Sequence, residues 1–168
     1  ADRAALAARL RTEVHHVAIF GGGHVGHALV GVLGALPFEV RWIDSRDSIF
    51  PKTVTANVSC EHSDPLQAEV GSLAPNSRVL IMSFSHAEDL EVVSACLVRH
   101  RKQADLPFVG LIGSQTKWSS FRQRLQARGF TAKELDHVTS PIGIAGIPGK
   151  QPEIIAVSVA AQLLQFGC

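Results

Sequence analysis

Three glycines in the run Gly21-Gly22-Gly23-His24-Val25-Gly26 stand in the spacing GxGxxG. The chemistry that this spacing serves is the seating of a phosphate ester against bare backbone. Gly21 permits a tight turn, Gly23 removes a side chain where a pyrophosphate would approach, and Gly26 lets the following helix lie close to the preceding strand. His24 and Val25 open that helix, whose free N–H groups and partial positive charge face the anion. Asp44 follows Gly26 by 18 positions. That is near the offset of roughly 20 residues at which an acid meets ribose hydroxyls. A carboxylate there repels a 2′-phosphate and favours NAD over NADP, and Arg46 two residues on blunts the preference.

Two further clusters carry reactive types. Ser83-Phe84-Ser85-His86 precedes Asp89, and a histidine there suits phosphate contact or proton transfer. The plainer alternative is a helix cap, with Ser85 as N-cap and Glu88 and Asp89 in the first turn. Gly113-Ser114-Gln115-Thr116-Lys117 offers amides, hydroxyls and a cation to an anionic ligand, and capping is again the alternative. Ser114 and Lys117 also fit SxxK, but the companion motifs of serine–lysine catalysis are missing.

Metal chemistry finds less support. His24 and His27 form HxxH and His15–His16 are adjacent, yet no acid or cysteine cluster completes a ligand set. These histidines are expected to pack or face solvent. Cys60, Cys96 and Cys168 are odd in number and form no CxxC pair, so reduced thiols in a cytoplasm fit better than a disulfide framework. Cys168, at the end of the sequence, is open to reaction or simply exposed.

These clusters each follow an apolar run and open a helical pattern. Strands are expected at His16–Phe20, Phe38–Ile43, Ala56–Ser59, Val79–Phe84, Phe108–Gly113 and Val138–Thr139. Helices are expected at 1–13, Val25–Leu36, 65–73, Ala87–Lys102, Thr116–Arg128 and Glu153–Leu164. Runs such as "VAIF", "VLIM" and "FVGLI" are apolar on both faces, as parallel strands covered by helices require. The fold class is therefore α/β, a Rossmann-like doubly wound, mostly parallel sheet with helices on both faces. Residues 1–14 are expected as a leading helix or linker, and 15–168 as the nucleotide-binding domain. In that fold the carboxyl ends of the strands line the ligand crevice, so the clusters share one opening. Trp42 is expected in or beside the sheet and Trp118 near the crevice. The loop Pro141–Lys150, apolar yet rich in glycine and proline, either shapes a pocket or partner surface or merely connects.

With 168 residues, 46% hydrophobic and net charge +1, the chain makes one domain with a sizeable core. No nucleic-acid or membrane partner is expected from that charge. No run approaches the roughly 20 apolar residues that span a bilayer. The sequence has no tyrosine, which rules out a Tyr-x-x-x-Lys pair.

The segments "FGGGHVGHALV", "WIDSR", "SHAEDL", "PFVGLIGSQTKWSSFRQRL", "SPIGI" and "GKQPEIIAVSVAAQLL" occur in this order. Together they resemble the C-terminal Rossmann domain of the xanthine dehydrogenase accessory protein (XdhC/CoxI) family, over about residues 16–165. The resemblance implies a maturation factor rather than a catalyst. It would bind molybdenum cofactor (molybdopterin), support its sulfuration with a cysteine desulfurase, and deliver it to xanthine dehydrogenase, commonly as a homodimer. By analogy the phosphate grip would hold a nucleotide such as NAD(P) or the phosphate of the pterin. The residues expected to bind cofactor are Gly21, Gly23, His24, Val25, Gly26, Asp44, Arg46, Ser83, His86, Gly113, Ser114 and Lys117. Where the family often has Thr-His-x-His, this sequence has Ser83-Phe84-Ser85-His86, with one histidine fewer. The family's separate N-terminal domain has no counterpart in these residues, which would leave only part of the activity here. An NAD(P)-dependent oxidoreductase and a nucleotide-sensing regulatory domain are the alternative functions.

Overall fold

The computed structural model describes Arg3 and residues 14–166. The helix expected at 1–13, apart from Arg3, and the terminal Cys168 lie outside the described residues. The chain runs β1 (His15–Phe20), α1 (His24–Leu33), β2 (Phe38–Asp44), β3 (Val58–His62), β4 (Arg78–Ile81), α2 (His86–Gln103), β5 (Phe108–Leu111), α3 (Gln115–Ala127), α4 (Ala132–Leu135), β6 (Val138–Thr139) and α5 (Pro152–Gln165). Short 3-10 segments lie at Asp47–Ile49 and Leu66–Ser72. Among the described residues all five strand pairings are parallel, in the order β3-β2-β1-β4-β5-β6. This is the doubly wound order whose direction reverses between β1 and β4. Phe20 lies opposite both Ile43 and Ile81, so the three central strands end level and their exits share one rim.

Alternation along the strands fills two cores. Ala18, Phe20, Val79 and Ile81 join Leu90, Val93 and Leu97 of α2 and Phe121 and Leu125 of α3. Val17, Ile19, Trp42 and Leu80 join Leu29 and Leu33 of α1 and Val159 and Leu163 of α5 on the other face. Each large side chain buried in this way contributes roughly 1.5–3 kcal/mol. No regular helix joins β2 to β3.

The helices α2, α3 and α5 begin and end within a residue or two of expectation, and the departures elsewhere have local causes. The third strand begins at Val58 because Val58 N–H bonds Thr55 O in a turn. α1 stops at Leu33, where Asn57 Nδ2 donates to the carbonyls of Leu33, Leu36 and Phe38. β4 ends early because Ser83 N–H leaves the ladder for the Asp89 carboxylate at 2.8 Å. β5 ends before Gly113, whose φ of +132° no extended strand accepts. The 65–73 segment is a 3-10 helix rather than an α-helix. α4 was not expected, although Thr131 and Glu134 form a reciprocal capping box at its start.

Candidate functional site

The glycine turn sits at the exit of β1. Gly21 holds φ +127°, and a side chain there would run into the Met82 carbonyl. Its N–H bonds Ile43 O at 2.8 Å, and its own carbonyl accepts from Trp42 Nε1 at 2.9 Å. A side chain at Gly26 would strike that same Gly21 carbonyl. Glycine at both positions thus lets turn and helix touch. Gly23 differs. It is the N-cap of α1 with no side-chain capping bond, and a Cβ built there meets nothing within 4 Å. Gly23 and His24 are exposed and Val25 is half-buried. The first-turn amides of α1 therefore face open space, as an anion site requires.

Gly22 was not singled out from the sequence, and it links the turn to the acid. Its N–H donates to Asp44 Oδ2 at 2.7 Å. Asp44 is 1% exposed, at the end of β2. Its Oδ1 accepts from Arg46 N at 2.8 Å and Arg46 Nε at 3.0 Å, and its Oδ2 also accepts from Arg46 Nη2 at 3.1 Å. The Asp44 bond raises the pKa of the Arg46 guanidinium, opposed by partial burial and aided by the Glu88 charge. The guanidinium carbon lies 4.4 Å from the centroid of the Phe84 ring, a cation–π distance. Phe84 is 63% exposed and follows β4. Since β1 lies between β2 and β4, the Arg46–Phe84 contact crosses the exit of β1 above the glycine turn. No sequence signal gave Phe84 this role, because the two residues lie far apart along the chain.

The second cluster closes on itself. Lys117 Nζ donates to Asp89 Oδ2 at 2.7 Å and to Ile112 O at 3.0 Å. Asp89 accepts Ser83 N–H with its other oxygen. The Lys117 side chain is 11% exposed and that of Asp89 1%, so the pair staples α2 to α3 inside the protein. Ser85 accepts from Glu88 N–H and Ser114 from Lys117 N–H, each as the N-cap of its helix. Ser83 Oγ donates to Ser85 O at 2.8 Å. His86 is exposed, with its ring edge-on to Phe121. A side chain at Gly113 would meet Lys117 Cδ at 2.6 Å.

Beyond β5 a cavity of 440 Å³ opens between Ile112, Gly113, Ser114, Pro141, Ile142, Lys150 and Ile155. The Pro141–Lys150 loop thus forms one of its walls. A second cavity of 440 Å³ lies beside α1, lined by His27, Val30, Trp42 and the 51–55 segment. His27 Nε2 there bonds Ile49 O at 3.0 Å, with its ring edge-on to Trp42. Among the described residues no group of three or more His, Cys, Asp or Glu could hold a metal ion. No helix among them is long and apolar enough to cross a membrane.

The family described as the XdhC Rossmann domain matches residues 17–163. Among solved structures, one described as a xanthine dehydrogenase from Bacillus halodurans is similar at 28% identity and a TM-score of 0.72. The similarity covers 90% of this chain and 42% of that one, so the chain spans less than half of that relative's length. A Rossmann-fold NAD(P)-binding family protein from Shigella flexneri is 14% identical with a TM-score of 0.55, covering 88% of this chain and 86% of that one. The protein chuY from the E. coli CFT073 strain is 12% identical with a TM-score of 0.53, covering 89% of this chain and 90% of that one. The last two likenesses concern the fold alone. No curated protein matches the sequence.

Proposed function

The chain belongs to the XdhC family through its Rossmann domain, and from that premise we propose that it is an accessory factor in the maturation of xanthine dehydrogenase. It would hold molybdenum cofactor by its phosphate and take part in sulfuration and insertion, with xanthine dehydrogenase and a cysteine desulfurase as partners and a second copy of itself in a homodimer. The observation that carries the reading is the family match over residues 17–163. The crevice agrees with it chemically. An uncapped helix start at Gly23, where a Cβ would meet nothing within 4 Å, suits a phosphate approaching the first-turn amides. Gly23 and the amides of His24 and Val25 would seat the phosphate, with Arg46 beside them. Gly21, Gly22 and Gly26 fix the turn, and the Asp89–Lys117 staple fixes the floor. When bound, the cofactor supplies the oxidation–reduction chemistry of the receiving enzyme, and this chain's residues only bind and orient it.

The test is reconstitution of cofactor-free xanthine dehydrogenase with molybdenum cofactor, with and without this protein. A gain in active enzyme is expected, and equal activity in both arms counts against the reading. A second reading, binding of NAD(P), draws on the same turn and on the doubly wound strand order. A specific ligand raises the melting temperature in proportion to ln(1 + [L]/Kd). Stabilisation by NAD(H) and not by molybdenum cofactor favours that second reading.

A further inference from the structure

We propose that the Asp44–Arg46 pair makes the crevice selective for a phosphomonoester, which Arg46 receives and for which Asp44 acts as a positioning residue. The proposal rests on the reading that the crevice takes a phosphate-bearing ligand, and it names which ester that ligand must carry. A carboxylate has about four lone-pair sites. At Asp44 all four are taken, two on each oxygen, by Gly22 N–H, Arg46 N–H, Nε and Nη2. A ribose diol approaching the end of β2 seeks an acceptor and finds none free. To gain one it must displace a donor from Asp44, and the two guanidinium bonds are charge-assisted and buried on the Asp44 side.

Arg46 is in the opposite condition. Its guanidinium carries five N–H donors, and Asp44 occupies only one edge of the fork. Nη1 has no hydrogen-bond partner among the described residues, and one Nη2 hydrogen remains. The side chain is 37% exposed. The donors are held, not floating. Asp44 fixes the fork's inner edge and Phe84 backs its flat face at 4.4 Å. A free N–H edge fixed in this way is the geometry that grips phosphate oxygens in pairs. The Asp44 and Glu88 charges offset that of Arg46. A dianion at the end of β2 is therefore held by directed N–H bonds from Arg46 rather than by net attraction. The unaided expectation from the Asp44 position, a preference for NAD, is thereby inverted.

Two ligands carry this chemistry: the 2′-phosphate of NADP and the terminal phosphate of the pterin cofactor. Titration of the protein with NADP⁺, NAD⁺ and purified molybdenum cofactor separates them. NADP⁺, molybdenum cofactor, or both should bind at least about tenfold more tightly than NAD⁺. Arg46→Met, which keeps an unbranched side chain but removes the N–H donors, should erase that advantage. Asp44→Asn should shrink the ratio of the two affinities, a ratio that does not depend on how much protein is folded. NADP⁺ alone showing the advantage assigns the nucleotide as the source, and molybdenum cofactor alone assigns the pterin. NAD⁺ binding as tightly as the others, an advantage that survives Arg46→Met, or no binding of any of the three overturns the proposal. None of these titrations involves xanthine dehydrogenase, so a failed reconstitution leaves their outcome standing.

Discussion

Gly21 and Gly23 are the same residue two positions apart, and substitution should separate them. Alanine at Gly21 meets a left-handed φ and the Met82 carbonyl. A loss of at least about 1–3 kcal/mol from backbone strain alone is expected in chemical denaturation. Alanine at Gly23 meets open space at an ordinary φ of −77°, so the stability of that variant should match the parent. Gly23→Asp should fold equally well but lose affinity for any phosphate ligand, because it places a carboxylate where the proposed anion would sit. Binding unchanged by Gly23→Asp would remove the turn from the site. Lys117→Met leaves the Asp89 charge buried and unpaired, for an expected cost of about 3–5 kcal/mol. Replacing Asp89 with leucine as well should recover only part, because Ser83 N–H then loses its acceptor. The glycine spacing was legible in the sequence because each role is a backbone role. The fates of Asp44 and Lys117 were not, because a side chain's partner depends on which loop the fold brings beside it. Arg46 and Phe84 meet only because β1 lies between their strands.

Short elements depend on a few polar bonds, and pH dependence enters through one of them, α4, and through a histidine near the end of α2. In α4 the Glu134 carboxylate bonds Arg101 and the Thr131 N–H, which together hold its pKa down to about 2. A carboxyl group depressed by folding stabilises above its ordinary value and loses that contribution as pH falls toward the folded one. The 131–135 turn should thus fray below about pH 4, seen as faster amide exchange there, and Glu134→Gln should fray it at neutral pH. His100 stacks on His137 with centroids 3.9 Å apart. Burial lowers its pKa first, with the His137 charge adding and the Asp105 charge opposing. Folding therefore favours neutral His100, a contribution present above its ordinary value and lost as pH drops through the folded one. His100→Gln should flatten the loss of melting temperature between about pH 7 and pH 5. A slope unchanged by that substitution would assign the loss to other groups. Long helices were legible from periodicity and caps. The start of β3 and the ends of β4 and β5 were not, because a turn sets the first, and a carboxylate 6 residues away and a left-handed glycine set the other two.

The whole sheet was legible at the level of class. Apolar runs alternating with amphipathic ones leave few arrangements, and the doubly wound parallel sheet is one of them. The layering was not, since nothing local says that α1 and α5 share one face while α2 and α3 share the other. Hydrogen exchange should rank these parts, slowest in β1 and β4 at the centre of both cores and fastest in the exposed 145–150 stretch. The Trp42 indole, bonded to the Gly21 carbonyl and edge-on to His27 and Phe50, touches the underside of the turn. The sequence has 2 tryptophans, so a Trp118→Phe protein would carry a single emitter at that spot. Occupation of the crevice could then be watched in unlabelled protein, as a change in intrinsic fluorescence during mixing.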